Sequence, residues 1–156
     1  MEAKSGPAGV GLDVVFSDLV RLETELWDLV DRSLRGEHDL PLSWFEPMQV
    51  IDRVPDCRVA DVAAALSITV GGTSKLVDRI AAAGWCTRRP HPDDGRSSIL
   101  ALTTAGRRRL TEARDTFDDE LETWLGAALA SDQLVSLASM IQQLRAHIAD
   151  RREDDR

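Results

Sequence analysis

From residue 12 to about residue 34, apolar side chains recur at helical spacing (Leu12, Val15, Phe16, Leu19, Leu22, Leu26, Leu29, Val30), with Asp, Glu and Arg between them. Steps of three and four positions gather these side chains on one face, which predicts a long amphipathic helix. The segment GEHDLPLS breaks it. Ser43 is placed to cap a second helix, WFEPMQVIDRV, with Pro47 in the early turns, where a missing N–H costs least. After PDCR, the stretch VADVAAALS predicts a short helix with Val59, Val62, Ala63 and Leu66 on one face. Next comes ITVGGTSKLVDRIAAAGW. Its apolar positions Ile68, Val70, Leu76, Val77 and Ile80 are interspersed with small, polar and basic ones, and Gly84 ends the helix as a C-cap. Two short helices around a tight turn, the second with hydroxyl and basic side chains near its start, describe a helix-turn-helix.

Residues 88–106, RRPHPDDGRSSILALTTAG, then switch to the chemistry of a hairpin. Asp93, Asp94 and Gly95 are turn formers, and Pro90 and Pro92 resist continuation of a central strand. Ile99, Leu100 and Leu102 fit a half-buried strand, and Thr103 with Thr104 can cap a helix whose first turns carry Arg107, Arg108 and Arg109. Beyond it the pattern is helical to the end. Leu110, Phe117, Leu121, Trp124, Leu125 and Leu129 form one apolar stripe. After a break and cap at Ser131 and Asp132, Leu134, Leu137, Ile141, Leu144 and Ile148 form another. These are the expected buried faces. Residues 1–11, rich in Gly, Ala and Pro, and residues 151–156, RREDDR, are expected to be disordered.

The fold class is therefore mainly α with a small β-hairpin. The terminal stripes are more apolar than one small central module can cover, so a symmetric dimer made by the two ends is the economical reading. The alternative is a monomeric bundle that buries them internally.

With 156 residues, 43% hydrophobic and 29% charged, the chain fits one well-buried domain. No apolar run approaches the roughly 20 residues needed to span a bilayer, and MEAKSGPAGVG lacks the apolar core of a secretory signal, so a cytoplasmic location is expected. Cys57 and Cys86 are far apart and outside any metal-spaced cluster, and His38, His91 and His147 are equally scattered. Both cysteines read as free thiols packed as small hydrophobes, and Arg88 stabilises a Cys86 thiolate only if the geometry cooperates. No metal or cofactor is implied. GxSxG, P-loop and HExxH motifs are absent, and Asp93-Asp94 and Asp118-Asp119 sit in polar surroundings, so the inventory speaks against an enzyme.

Charge is uneven. The formal net charge is -8, yet residues 69–109 hold eight basic and three acidic residues, a local +5 that leaves -13 for the rest. Phosphate contacts depend on local positive charge and not on the overall balance, so an acidic chain with a basic middle is compatible with nucleic acid. The groove of B-DNA, about 12 Å wide, admits one helix, and small residues at its start permit close approach. Gly71 and Gly72 carry a helix-propensity cost of roughly 1 kcal/mol each against alanine.

Residues 43–110 resemble the MarR-type family of bacterial transcriptional regulators. The match is carried by VADVAAALSITVGGTSKLVDRIAAAGWCTR, by the wing-like RRPHPDDGRSSILALTTAG with its D-x-R at Asp94, Gly95 and Arg96, and by the LTxxG at residues 102–106. The resemblance implies a winged helix-turn-helix homodimer that binds a pseudo-palindromic operator, commonly as a repressor. It implies one domain over residues 12–150, in which 43–103 form the DNA-binding lobe and 12–35 with 104–150 the helical dimerisation region. The helix of residues 69–83 would enter the major groove, and Arg96, oriented by Asp94, the minor groove. The candidate DNA-contacting residues are Thr69, Gly71, Gly72, Thr73, Ser74, Lys75, Arg79, Arg88, Arg89, Asp94 and Arg96.

The same resemblance implies release by a small aromatic ligand where the dimer helices meet the lobe, with Trp27, His38, Trp44, Phe45 and Met48 as candidates by location and Trp124 as a further one. An aromatic residue at helical spacing is more often core than pocket, which is the competing reading for each. Oxidant-sensing members place a reactive cysteine in the first helix, and none stands there. Two other classes compete: a winged-helix protein-interaction module without specific DNA binding, which the basic wing disfavours, and a small enzyme.

Overall fold

The computed structural model describes residues 9–154, with the side chains of Gly95, Arg96 and Glu153 outside the described set. The expected disorder at residues 1–8 and 155–156 also lies outside it. The order is α1 (Leu12–His38), α2 (Leu42–Arg53), α3 (Val59–Leu66), α4 (Val70–Ala82), β1 (Cys86–His91), β2 (Asp94–Leu102), α5 (Thr104–Leu121), a π-helical segment (Glu122–Gly126) and α6 (Ser131–Asp154). The chain divides into two compact units at Phe117 and Asp118.

In the first unit, the core draws on every element. Leu34, Phe45, Met48, Val62, Val77, Ile80, Leu100 and Leu110 are all buried. Phe45 lies 4.8 Å, centroid to centroid, from the ring of Phe117. α1 runs one turn beyond the expected end. It stops where Asp39 takes a left-handed φ of 48° and the Leu40 N–H donates back to the Leu34 carbonyl at 3.3 Å. Leu40 is buried, so the exit is fixed by packing as well as by the cap.

Ser43 does not cap α2. The helix begins at Leu42 after Pro41, and its first N–H donates to Asp31 Oδ1 of α1 at 2.8 Å. The acceptor comes from eleven residues away, so no local cap signal is needed. Pro47 is accordingly deeper than expected, the sixth helical residue, and buried.

α3 and α4 are joined by residues 67–69. Ser67 takes a left-handed φ of 55° and Ile68 N–H donates to the Ala63 carbonyl at 3.0 Å. Thr69 caps α4, its Oγ1 accepting from Gly72 N–H at 3.2 Å. Past Ala83, the C-cap, Gly84 turns the chain with a φ of +80°.

The hairpin is antiparallel, with Cys86 opposite Leu102 and Arg88 opposite Leu100. Its turn is not the expected Asp93-Asp94-Gly95. Pro90 pairs with Ser98 and His91 with Asp94, so Pro92 and Asp93 form the turn and residues 95–97 make a bulge in β2. Pro90 is tolerated in β1 because β1 is an edge strand of a two-stranded sheet. Thr103 then caps α5, accepting from Gly106 N–H at 3.0 Å and donating to the Gly84 carbonyl at 2.7 Å.

In the second unit, the helix pattern expected up to Ala130 gives way to the π-helical segment at Glu122, and α6 continues through Asp154, so residues 151–154 are helical and not disordered. The stripes expected to be buried are so only in part: Leu110 and Val30 are buried, and Phe117, Leu121, Leu125, Leu129, Leu134 and Leu137 are half-buried. Trp124, Ile141, Leu144 and Ile148 are exposed, as are Leu12, Val15, Phe16, Leu19 and Leu22 of α1. Among the described residues, no single helix is long and apolar enough to cross a membrane.

Candidate nucleic-acid interface

The first half of α4 has a bare outer surface. A Cβ on Gly71 would meet nothing within 4 Å, and Gly71, Gly72 and Lys75 are exposed. Thr69 is exposed at the cap, and Arg79 is exposed one turn beyond Lys75.

Thr73 departs from the expected set. It is fully buried, and its hydroxyl donates to the Thr69 carbonyl at 2.8 Å, so it seats the first turn of α4 and presents nothing outward.

Arg88 departs as well. Its guanidinium donates to the Ser74 carbonyl at 2.9 Å and to Ser74 Oγ at 3.1 Å, and pairs with Asp78 at 2.9 Å. The side chain crosses from β1 to α4 and ties the hairpin to the helix, which also engages Ser74. Arg89, the next residue, is exposed and opposite Ile99. Among the described residues, Lys75, Arg79 and Arg89 make no ion pair.

His91 and Arg58 anchor the base of the hairpin tip. Arg58 Nη2 lies 2.7 Å from His91 Nε2, and Asp93 N–H donates to His91 Nδ1 at 3.2 Å. Asp94 is exposed and opens β2 beside the turn. Arg96 falls in the bulge, and its side chain is outside the described set.

The basic run at the start of α5 serves the fold. Arg107 reaches Asp52 at 3.4 Å and the Leu102 carbonyl at 3.3 Å. Arg109 donates to the His38 carbonyl and lies over the Trp85 ring, 4.7 Å from its centroid.

The five effector candidates do not converge. Phe45 and Met48 are fully buried in the core, a correction that follows from their place on the inner face of α2. Trp44 is part-buried with its ring edge-on to Trp85 at 5.4 Å. Trp27 borders a cleft of about 270 Å³ on α1 with Glu23, Thr24 and Asp28. His38 alone lines the larger cleft, about 380 Å³, together with Trp85, Arg35, Arg108 and Arg109. Its Nε2 is 2.8 Å from Thr116 Oγ1.

Both thiols are buried. Burial pushes the Cys57 thiol up to about 11, with Asp61 adding to the rise. Burial also raises Cys86 despite the pull of Arg88, with Asp78 adding to the rise. The condition on a stabilised Cys86 thiolate is therefore not met. Among the described residues, no three His, Cys, Asp or Glu side chains group as a metal site.

A helix-turn-helix whose second helix is pinned to a hairpin is a winged helix, and residues 38–97 match the model of the MarR family. Over those residues the chain is similar to the MarR family. It is 27% identical over 79 residues to the multiple antibiotic resistance protein MarR of Escherichia coli (strain K12), a match that covers 51% of this chain and about half, 55%, of that relative's length. The fold is similar to that of Sco3205, a MarR family transcriptional regulator from Streptomyces coelicolor solved in complex with DNA. The TM-score is 0.81 at 22% identity, covering 87% of this chain and 90% of that one. It is also similar to AbsC, a MarR family regulator from the same organism. There the TM-score is 0.83 at 15% identity, covering 94% and 99%.

Sequence reasoning missed two groups of residues. Asp78, which pairs with Arg88, gives no local signal because the contact joins a helix to a strand, and Ser74, expected at the DNA, is also a partner of Arg88. Ile68 and Val70 were read only as apolar positions of a helix pattern, and both are exposed.

Proposed function

We propose that this chain is a MarR-family member: a cytoplasmic, homodimeric regulator of transcription that binds a pseudo-palindromic operator as a repressor. The observation that carries the proposal is the set of exposed cations Lys75, Arg79 and Arg89, without ion pairs among the described residues, on a helix and hairpin tied together by Arg88. On a chain of net charge -8, those cations have no ion-pair partner among the described residues, and a phosphate backbone supplies one. The bare face at Gly71 allows the helix to sit deep in a major groove. Arg96 is proposed for the minor groove.

Dimerisation rests on the exposed apolar faces. Leu12, Phe16 and Leu19 on α1, and Ile141, Leu144 and Ile148 on α6, would be costly to leave in water. A two-fold dimer presents two lobes to half-sites about 34 Å apart, which is why the operator is proposed to be pseudo-palindromic. Release by a small aromatic acid belongs to the same reading. The cleft of His38, Trp85 and Arg109 offers an aromatic wall beside cationic groups.

A mobility-shift assay with the DNA upstream of the protein's own gene tests the reading. A discrete complex that survives excess non-specific competitor is expected. Binding that competitor removes completely would favour the protein-interaction module.

A further inference from the structure

Ile68 and Val70 are 44% and 56% exposed, and they flank Thr69, the cap of α4. The other large exposed apolar residues of α1 and α6 recur along long helices, as subunit contacts do. These two stand apart from both runs. Val70 is the first residue of α4, and a Cβ on the next residue, Gly71, would meet nothing within 4 Å. Buried Thr73 holds that turn in place through its 2.8 Å bond to the Thr69 carbonyl. The result is a small, rigid apolar point at the tip of the helix, next to the exposed Thr69 and on the helix that also carries the exposed cation of Lys75.

In a major groove, the group that fits such a point is the C5-methyl of thymine, the one apolar feature among the base edges. The first residues of a recognition helix are those that reach the base edges. We propose that Val70, with Ile68 beside it, reads a thymine methyl, so that each half-site carries a thymine where the tip of α4 enters. This rests on the DNA-binding reading above and adds a base preference to it. Lys75 and Arg79 alone would attract any duplex, whereas a methyl contact distinguishes T·A from the other pairs.

The test needs no knowledge of the natural operator. Duplexes are selected from a random 24-base-pair library with the full-length protein, and the recovered sequence is resynthesised with deoxyuridine at each thymine in turn, which removes only the methyl group. At one position per half-site, wild-type protein should bind the deoxyuridine duplex about three- to fivefold more weakly, the effect of one buried carbon. Val70→Ser should bind both duplexes equally, with an unchanged melting curve. Lys75→Ala should weaken both alike. Equal wild-type affinity for all deoxyuridine duplexes overturns the proposal and leaves specific DNA binding intact. So does a Val70→Ser protein that still distinguishes them. A Val70→Ser protein with altered sedimentation and no loss of methyl discrimination assigns the patch to a protein contact and overturns it too. If the library yields no enriched sequence, the DNA-binding reading fails and this inference falls with it.

Discussion

Gly106 lies so close to Trp85 that a Cβ on it would stand 2.0 Å from the Trp85 carbonyl oxygen. That oxygen accepts the Thr103 N–H at 3.0 Å, and Thr103 in turn caps α5, so the glycine of the LTxxG motif is the point at which helix and lobe touch backbone to backbone. Gly106→Ala is expected to lose about 2 kcal/mol or more of stability. Alanine's helix preference, about 1 kcal/mol, acts the other way, but a backbone carbonyl cannot rotate aside as a side chain can. Urea denaturation of the two proteins measures it, and an equal or higher midpoint for the variant contradicts the packing argument.

Gly71→Ala should do the reverse. Its Cβ has open space, so the substitution should stabilise the fold by about 0.5 to 1 kcal/mol. Operator affinity should fall at the same time, because the added methyl group stands on the face proposed to enter the groove. Thermal melts and fluorescence anisotropy, taken together, decide this. Higher stability with unchanged affinity would place Gly71 outside the interface.

The neighbouring arginines should separate cleanly. Arg88→Ala is expected to lower stability by about 1 kcal/mol, mostly through the hydrogen bonds to Ser74, since Asp78 is largely exposed and its ion pair is screened. Arg89→Ala should leave stability alone, weaken DNA binding across sequences and flatten the salt slope by about one unit. Arg96→Ala should cost about 1 to 3 kcal/mol of operator affinity with the fold intact. Anisotropy titrations at several salt concentrations distinguish the three, and a wild-type slope for Arg89→Ala removes it from the phosphate contacts.

Cys57 supplies a pH test. Its thiol sits at about 11 in the fold against an ordinary 9.0, because burial disfavours the thiolate. Below pH 9 both states hold the proton and the contribution to stability is complete. Between about 9 and 11 only the unfolded chain ionises, so stability should fall as pH rises through that window. Cys57→Ala should flatten the fall. At pH 8, the native protein should resist Ellman's reagent and the denatured protein should titrate two thiols. Rapid labelling of the native state contradicts the burial.

Removing residues 134–156 should give a monomer or an aggregate with sharply reduced operator affinity, since most of α6, with Ile141, Leu144 and Ile148, goes with them. Analytical ultracentrifugation checks it. A soluble, stable dimer would place the interface elsewhere.

The helices were legible because burial imposes a period, and α1, α3 and α4 lie close to where their apolar spacing put them. Local caps were legible when the acceptor was local, as at Thr69 and Thr103. Ser43 does not cap because Asp31, eleven residues before Leu42, accepts the first N–H of α2. The turn falls one residue before Asp93-Asp94-Gly95 and ends two residues earlier, because Asp94 pairs with His91 and the extra residues 95–97 go into a bulge that composition does not signal. At the candidate interface, Lys75, Arg79 and Arg89 stand exposed as expected. Thr73 and Arg88 have the right chemistry but are turned inward, Thr73 by burial and a bond to the carbonyl four residues back, Arg88 by a helix-to-strand contact with Ser74 and Asp78 that no spacing rule connects to it.

The bridge from Arg88 to Ser74 and Asp78 also has a mechanical meaning. With helix and hairpin fastened together, the lobe is a caliper set at one opening. On the proposed reading, with α4 in the major groove and the hairpin at the minor groove, the spacing of α4 from β1 is set before any DNA arrives. Inserting a single base pair between the two contacted stretches shifts them apart by about 3.4 Å and rotates one around the other, a displacement the fastened jaws cannot follow.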